Sequence, residues 1–127
     1  MIKLKIKNIK NDSSLYTLKI MQTFDIKETL NTKYMTDIME FNDNDNLIGI
    51  VNYLYYPVLN YEKLFIRSIY YTDIKYLDNI IKEFIKIMKK KYNSIFTNIN
   101  QGKFDKYTID ALKNNNFNGD EYFFLTY

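Results

Sequence analysis

Leu64-Phe65-Ile66-Arg67-Ser68-Ile69-Tyr70-Tyr71-Thr72-Asp73-Ile74-Lys75-Tyr76-Leu77 is the stretch on which the fold turns. As far as Tyr71 it is rich in β-branched and aromatic residues and reads as a strand. From Ile74 the spacing changes. Ile74, Leu77, Ile81, Phe84, Ile85 and Met88 recur as one helical stripe, while Lys75, Asp78, Lys82, Lys86 and Lys89 lie elsewhere on the helix. A core strand therefore passes directly into a long amphipathic helix at Thr72-Asp73, with no glycine at the junction.

Upstream, Ile2, Leu4 and Ile6 alternate with Lys3, Lys5 and Lys7, the period-2 pattern of a half-buried strand. Asp12, Ser13 and Ser14 are helix N-cap types, and Leu15, Leu18, Met21 and Phe24 follow at helical spacing. A short second helical turn is expected over Ile26 to Leu30 and a strand over Tyr34 to Phe41. Asn42-Asp43-Asn44-Asp45-Asn46 is turn chemistry, because short amides and carboxylates tolerate a left-handed backbone. Leu47 to Tyr56 reads as a strand stopped by Pro57, and a turn at Asn60 and Tyr61 leads into the opening stretch. Downstream of the long helix, Ser94 to Ile99 reads as a short strand. Asp105 caps a helix carrying Ile109 and Leu112, and Glu121 to Tyr127 ends the chain as a strand. The expected order is β-α-(α)-β-β-β-α-β-α-β, an α+β fold of three-layer type in one domain over residues 1–127.

Composition removes several chemistries. The 127 residues contain no cysteine and no histidine, which excludes disulfides, thiolate nucleophiles, Ser-His-Asp triads and the usual zinc sites. No metal is expected. The net charge of +3 comes from lysine, with Arg67 the sole arginine, so specific nucleic-acid readout by bidentate guanidinium is poorly supported. Apolar runs are too short for a membrane span, and the charged N-terminal alternation is unlike a secretory signal, which points to a cytoplasmic protein. Asn, Lys, Ile and Tyr make up about half of the chain, a bias expected of a low-GC genome.

This order of elements resembles the GNAT superfamily of N-acetyltransferases, most clearly from Leu47 to Tyr127. The resemblance implies a mixed, mostly antiparallel sheet of six to seven strands, with helices on both faces. The sheet is splayed between the fourth and fifth strands, and acetyl-CoA lies in the wedge. The family's phosphate loop, Gln/Arg-x-x-Gly-x-Gly/Ala, aims backbone amides at the pyrophosphate. At the matching place this chain has Thr72-Asp73-Ile74-Lys75-Tyr76-Leu77, a degenerate loop in which Asp73 would cap the helix and repel phosphate. The family's C-terminal Asn-x-x-Ala-x-x-x-Tyr-x-x-x-Gly-Phe is met by Asp105, Thr108, Leu112, Asn116 and Phe117. Asn116 tolerates the left-handed backbone that glycine would adopt, but Leu112 has no proton to give a departing thiolate.

What the resemblance implies for the site is a cofactor-binding set of Ile69, Tyr70, Tyr71, Thr72, Asp73, Ile74, Lys75, Tyr76, Asn98 and Asp105, with the catalytic residues left unassigned. Tyr70, Tyr71 and Tyr76 fall at the mouth of the implied wedge, as a general acid or pocket lining, or simply as edge-covering rings. Glu40, Glu62 and Asp37 are candidate bases for an amine but read as solvated strand ends. The lysines at Lys86 and Lys89 to Lys91 read as an ordinary solvated helix end. Two functions stay open: an N-acetyltransferase using acetyl-CoA and an unknown amine, or a non-catalytic interaction module of the same fold with a protein partner or a second copy.

Overall fold

Asn44 (φ 50°) and Asp45 (φ 68°) both take left-handed backbone, and between them they turn β2 (Asp37–Asp43) back as β3 (Asn46–Val58). Two successive positive φ values are what a two-residue hairpin of type I′ requires, and Asn and Asp meet that demand at low cost. The turn fixes the register Asp43 to Asn46 and hence which side chains face inward. The computed structural model of the protein describes residues 2–8, 14–26, 37–58, 61–92, 94–97, 104–117 and 124–126.

Six strands form one sheet in sequence order: β1 (Ile2–Asn8), β2, β3, β4 (Tyr61–Tyr71), β5 (Ser94–Thr97) and β6 (Phe124–Thr126). All neighbours are antiparallel except β4 and β5, which run parallel because α2 (Ile74–Met88) carries the chain across between them. Among the described residues the pairing of β4 with β5 covers Lys63–Ile66 against Ser94–Thr97. Thr97, fully buried, closes that last rung with its hydroxyl on the Ile66 carbonyl at 2.7 Å. Beyond it β4 continues through Arg67 to Tyr71. Arg67 is itself the extra residue of a bulge, since Asn52 opposes Ser68 while Tyr53 opposes Ile66.

The two faces are covered by different helices. On one, Leu77, Ile80, Ile81, Phe84 and Met88 of α2 and Ala111 and Leu112 of α3 (Lys106–Asn114) pack on Phe41, Val51, Tyr53, Leu64, Ile66 and Ile69. On the other, Ile20 of α1 (Ser14–Thr23) packs on Ile38 and Ile50. Burial holds the Tyr53 phenol, with Asp37 as a second influence, up at about 12. Gly49 sits beneath α2. A Cβ built there would lie 2.3 Å from Ile80 Cδ1 and 3.2 Å from the Tyr70 carbonyl, so the glycine lets the helix approach the sheet.

The sequence reading needs four adjustments. In α1 the buried contact is Ile20, with Phe24 of the expected stripe packed beside it, while Leu18 is half exposed. Ile74 is likewise exposed, and Ile80 takes its place in the α2 stripe. Pro57 does not stop β3, which runs through it to Val58 opposite Tyr61. Glu40 is buried, not a solvated strand end. The second turn expected over Ile26 to Leu30 falls, beyond Ile26, outside the described residues. No helix among the described residues is long and apolar enough to cross a membrane.

Candidate functional site

Three elements come together around Tyr71: the end of β4, the start of α2 and the start of α3. Alternation along β4 sends Tyr70 and Tyr71 to opposite faces. Tyr70 turns toward α1, its ring 6.1 Å from that of Phe24. Tyr71 turns toward α3 and donates a 2.5 Å hydrogen bond to Asp105 Oδ2. The expected tyrosine cluster is therefore split. Tyr76 also points elsewhere, its hydroxyl donating to Asp43 of β2 at 3.3 Å.

Asp105 performs two tasks. Its other oxygen accepts from the Thr108 amide at 2.8 Å, the N-cap of α3, while Oδ2 receives the Tyr71 phenol. Partial burial pushes its carboxyl up, but the hydrogen bonds from Tyr71 and Thr108 outweigh this and hold it below the ordinary carboxylate value. The Tyr71 phenol is raised, first by desolvation and then by the Asp105 carboxylate it serves. Tyr71 is thus a protonated donor at neutral pH.

At the start of α2, Asp73 takes extended backbone (φ −144°, ψ 138°) and its Oδ1 accepts from the Lys75 amide at 3.0 Å. Its carbonyl accepts from Tyr76 N at 3.0 Å. An anion at this terminus would meet amides already engaged and a carboxylate in front of them. The Lys75 ammonium lies 5.1 Å from the centre of the Tyr76 ring, a cation–π contact that keeps the charge near the terminus. Thr72 extends β4 by bonding the Ile48 carbonyl through its amide at 3.0 Å. Ile74 is exposed, the Ile69 side chain belongs to the core, and Asn98 lies outside the described residues.

The end of α3 follows the expected pattern closely. Asn116 adopts φ 69°, Phe117 N bonds the Leu112 carbonyl and Asn116 N bonds the Lys113 carbonyl, both at 3.1 Å. This is a Schellman motif, with Phe117 and Leu112 as its buried apolar pair. Asn115 fastens α3 to α2 through its amide on Asp78 at 2.9 Å.

The sequence matches no family model and no curated protein. Solved structures do match. The N-acetyltransferase of Staphylococcus aureus Mu50 aligns over 98% of this chain and 94% of its own at 17% identity, with a TM-score of 0.62. A probable acetyltransferase of Staphylococcus epidermidis ATCC 12228 aligns over 99% and 98% at 13% identity, TM-score 0.68. The chain has the GNAT fold. A predicted acetyltransferase of Clostridium acetobutylicum, solved with acetyl-CoA, aligns over 95% and 93% at 14% identity, TM-score 0.57. At such identities the likeness is one of backbone, and the GNAT-fold site has to be judged on the side chains present here.

Those side chains fit the ligand of the fold unevenly. β4 runs on past Ile66, the last residue it pairs with β5 among the described residues, and extended main chain there would suit a thioester arm. The capped start of α2 does not suit a pyrophosphate. Two polar residues on the sheet carried no expectation in the sequence: Asn52 and Ser68, both buried. The available signal was an amide inside the apolar run Leu47 to Tyr56, where β-branched neighbours make asparagine out of place.

Proposed function

We propose that this GNAT-fold protein is an N-acetyltransferase that takes acetyl-CoA at the parting of β4 and β5 and an amine as acceptor, with a weakened hold on the coenzyme's phosphates. What supports the reading is the parallel β4–β5 pair, which among the described residues runs to Ile66 and Thr97, while β4 continues through Arg67 to Tyr71. Main-chain amides along that stretch are suited to orient an acetyl group and polarise its carbonyl. Acetyl-CoA supplies the activated acetyl group. In this reading Tyr71, Thr72 and Asp105 line the entry, and Lys75 supplies the positive charge nearest the phosphates.

A second reading is favoured by a different observation. Asp73 occupies the helix terminus that a pyrophosphate would need, and Tyr71 and Asp105 join β4 to α3 across the entry. A GNAT-fold platform without coenzyme, acting through a protein partner or a second copy, would carry these features at no loss.

Isothermal titration of the purified chain with acetyl-CoA, and with coenzyme A beside it, separates the two. Saturable binding in the micromolar range is expected for the acetyltransferase. No heat and no thermal stabilisation at millimolar ligand would leave the platform.

A further inference from the structure

Four lysines gather at the C-terminal end of α2: Lys86 in its last turn, and Lys89, Lys90 and Lys91 in the turn that follows, all exposed. Lysines at such an end ordinarily serve the last carbonyls of the helix and its dipole. Here main chain takes the carbonyls. Lys89 N donates to the Ile85 carbonyl at 2.9 Å, Lys90 N to that of Ile87 at 3.3 Å, and Lys91 N and Tyr92 N both to that of Met88 at 3.0 Å. The dipole places only about half a negative charge there, against four positive ones. Among the described residues none of the four ammonium groups pairs with a carboxylate, the ion pair of α2 being Lys82 with Asp78 at 2.8 Å, a turn earlier. Glu83, half-buried, is the one acid between Asn79 and Tyr92, and it stands beside Lys86, which leaves Lys89 to Lys91 uncompensated.

Such a patch attracts polyanions, and its surroundings choose among them. An anionic bilayer holds a basic helix when apolar side chains enter beside the lysines. The apolar face of α2 is spent on the core, and the large apolar residues exposed among the described ones, Leu18, Ile74 and Tyr107, lie on α1, at the opposite end of α2 and on α3. An acidic peptide likewise relies on apolar anchors at the centre of its interface. A nucleic-acid backbone needs no anchor. It carries a charge about every 3.4 Å along each strand, and lysines spaced about 5–6 Å apart at Cβ, as Lys86 and Lys89 are, meet several phosphates at once. Lysine is a point charge without the fork that reads base edges, so the contact carries no sequence preference.

We infer that this end of α2 is a docking surface for the phosphate backbone of a nucleic acid, engaged without regard to sequence. The 15 residues of α2 rise about 22 Å, which separates the surface from the site at Asp73, so the inference stands under either reading of that site.

The test is fluorescence anisotropy of a labelled single-stranded RNA of about 20 nucleotides against the full chain, between about 50 and 200 mM salt. Saturable binding is expected at the lower salt, with equal affinity for a scrambled sequence. Log K should fall against log salt with a slope of about −3, roughly 0.7 for each of four phosphate contacts. Lys89→Gln, Lys90→Gln and Lys91→Gln together should weaken binding about tenfold or more and bring the slope to about −1. Lys3→Gln, Lys19→Gln and Lys113→Gln together remove the same charge from other exposed lysines and should leave affinity within about threefold. If the first triple variant does not fold, Lys90→Gln with Lys91→Gln, both past the last residue of α2, makes the same comparison against Lys3→Gln with Lys19→Gln. No saturable binding at the lower salt, an equal loss in the two matched variants, or tighter binding to anionic phospholipid vesicles or polyglutamate at the same salt overturns the inference.

Discussion

The phenol of Tyr71, the last residue of β4, donates to the carboxylate of Asp105, the cap of α3, at 2.5 Å across 34 residues of sequence. One hydrogen bond thus joins the end of β4 to the start of α3. The same carboxylate holds the first turn of α3 through Thr108.

Asp105→Ala should cost about 0.5–2 kcal/mol, because it removes a cap. Tyr71→Phe should cost less at neutral pH, and that cost should disappear in acid. Asp105 titrates below its ordinary value in the folded chain, so its contribution is complete above the unfolded value of about 3.9 and is lost as pH falls through the folded one. Without the phenol the folded value rises toward the ordinary one. Urea unfolding of both proteins between roughly pH 2 and 6 should therefore show a stability gap that closes at the acid end. A gap independent of pH would show that Tyr71 does not act through Asp105.

Asp73 decides how an anion meets α2. Asp73→Gly should destabilise the chain by only a few tenths of a kcal/mol, since glycine is tolerated at an N-cap, while freeing the Lys75 amide and removing the charge in front of it. Relief of one such repulsion is worth on the order of 1 kcal/mol near water, or about fivefold in coenzyme A affinity. Asp73→Asn keeps a capping oxygen and should recover only the part owed to charge. Identical dissociation constants in all three proteins would show that the phosphates do not lie at this terminus.

Gly49 and Ile80 form a contact that can be tested from both sides. In Gly49→Ala the new methyl falls 2.3 Å from Ile80 Cδ1, and Ile80 is fully buried with little room to turn. A loss of about 1–3 kcal/mol is expected from overpacking. Ile80→Val removes the clashing Cδ1, so the double variant should be more stable than the sum of the two single effects predicts. Strict additivity in denaturant unfolding would show that the contact is not the source of the strain.

Much of this arrangement was legible because it rests on local chemistry. Asn44 and Asp45 announced the hairpin, Asp105 announced a cap, and Asn116 announced a left-handed helix end; φ values and hydrogen bonds agree at each. The phase of α1 was legible in part: Phe24 was expected inward and packs there, but that Ile20 and not Leu18 is buried beside it is set by docking on Ile38 and Ile50. Burial of Glu40 and Asn52 also depends on what lies over the sheet, which strand alternation does not specify. Alternation did contain the separation of Tyr70 from Tyr71, since adjacent residues of a strand face opposite ways.

Leu112 offers the last test, because its position in the chain invites a repair that its surroundings oppose. It stands where the GNAT pattern has tyrosine, so Leu112→Tyr is the substitution by which a proton donor would be restored. Yet Leu112 is fully buried, packed with Phe117 in the closing motif of α3, and its carbonyl receives the Phe117 amide. A phenol there adds volume to a filled core and brings a hydroxyl that needs a partner. We expect Leu112→Tyr to lose about 1–3 kcal/mol in thermal or urea unfolding and to gain no acetyl transfer to amines. Tyr71, exposed in part and kept protonated, is better placed to donate. Any acetyl transfer the protein performs should therefore fall in Tyr71→Phe, measured as kcat at saturating amine. A Leu112→Tyr protein that is both stable and faster would place the proton donor on α3 instead.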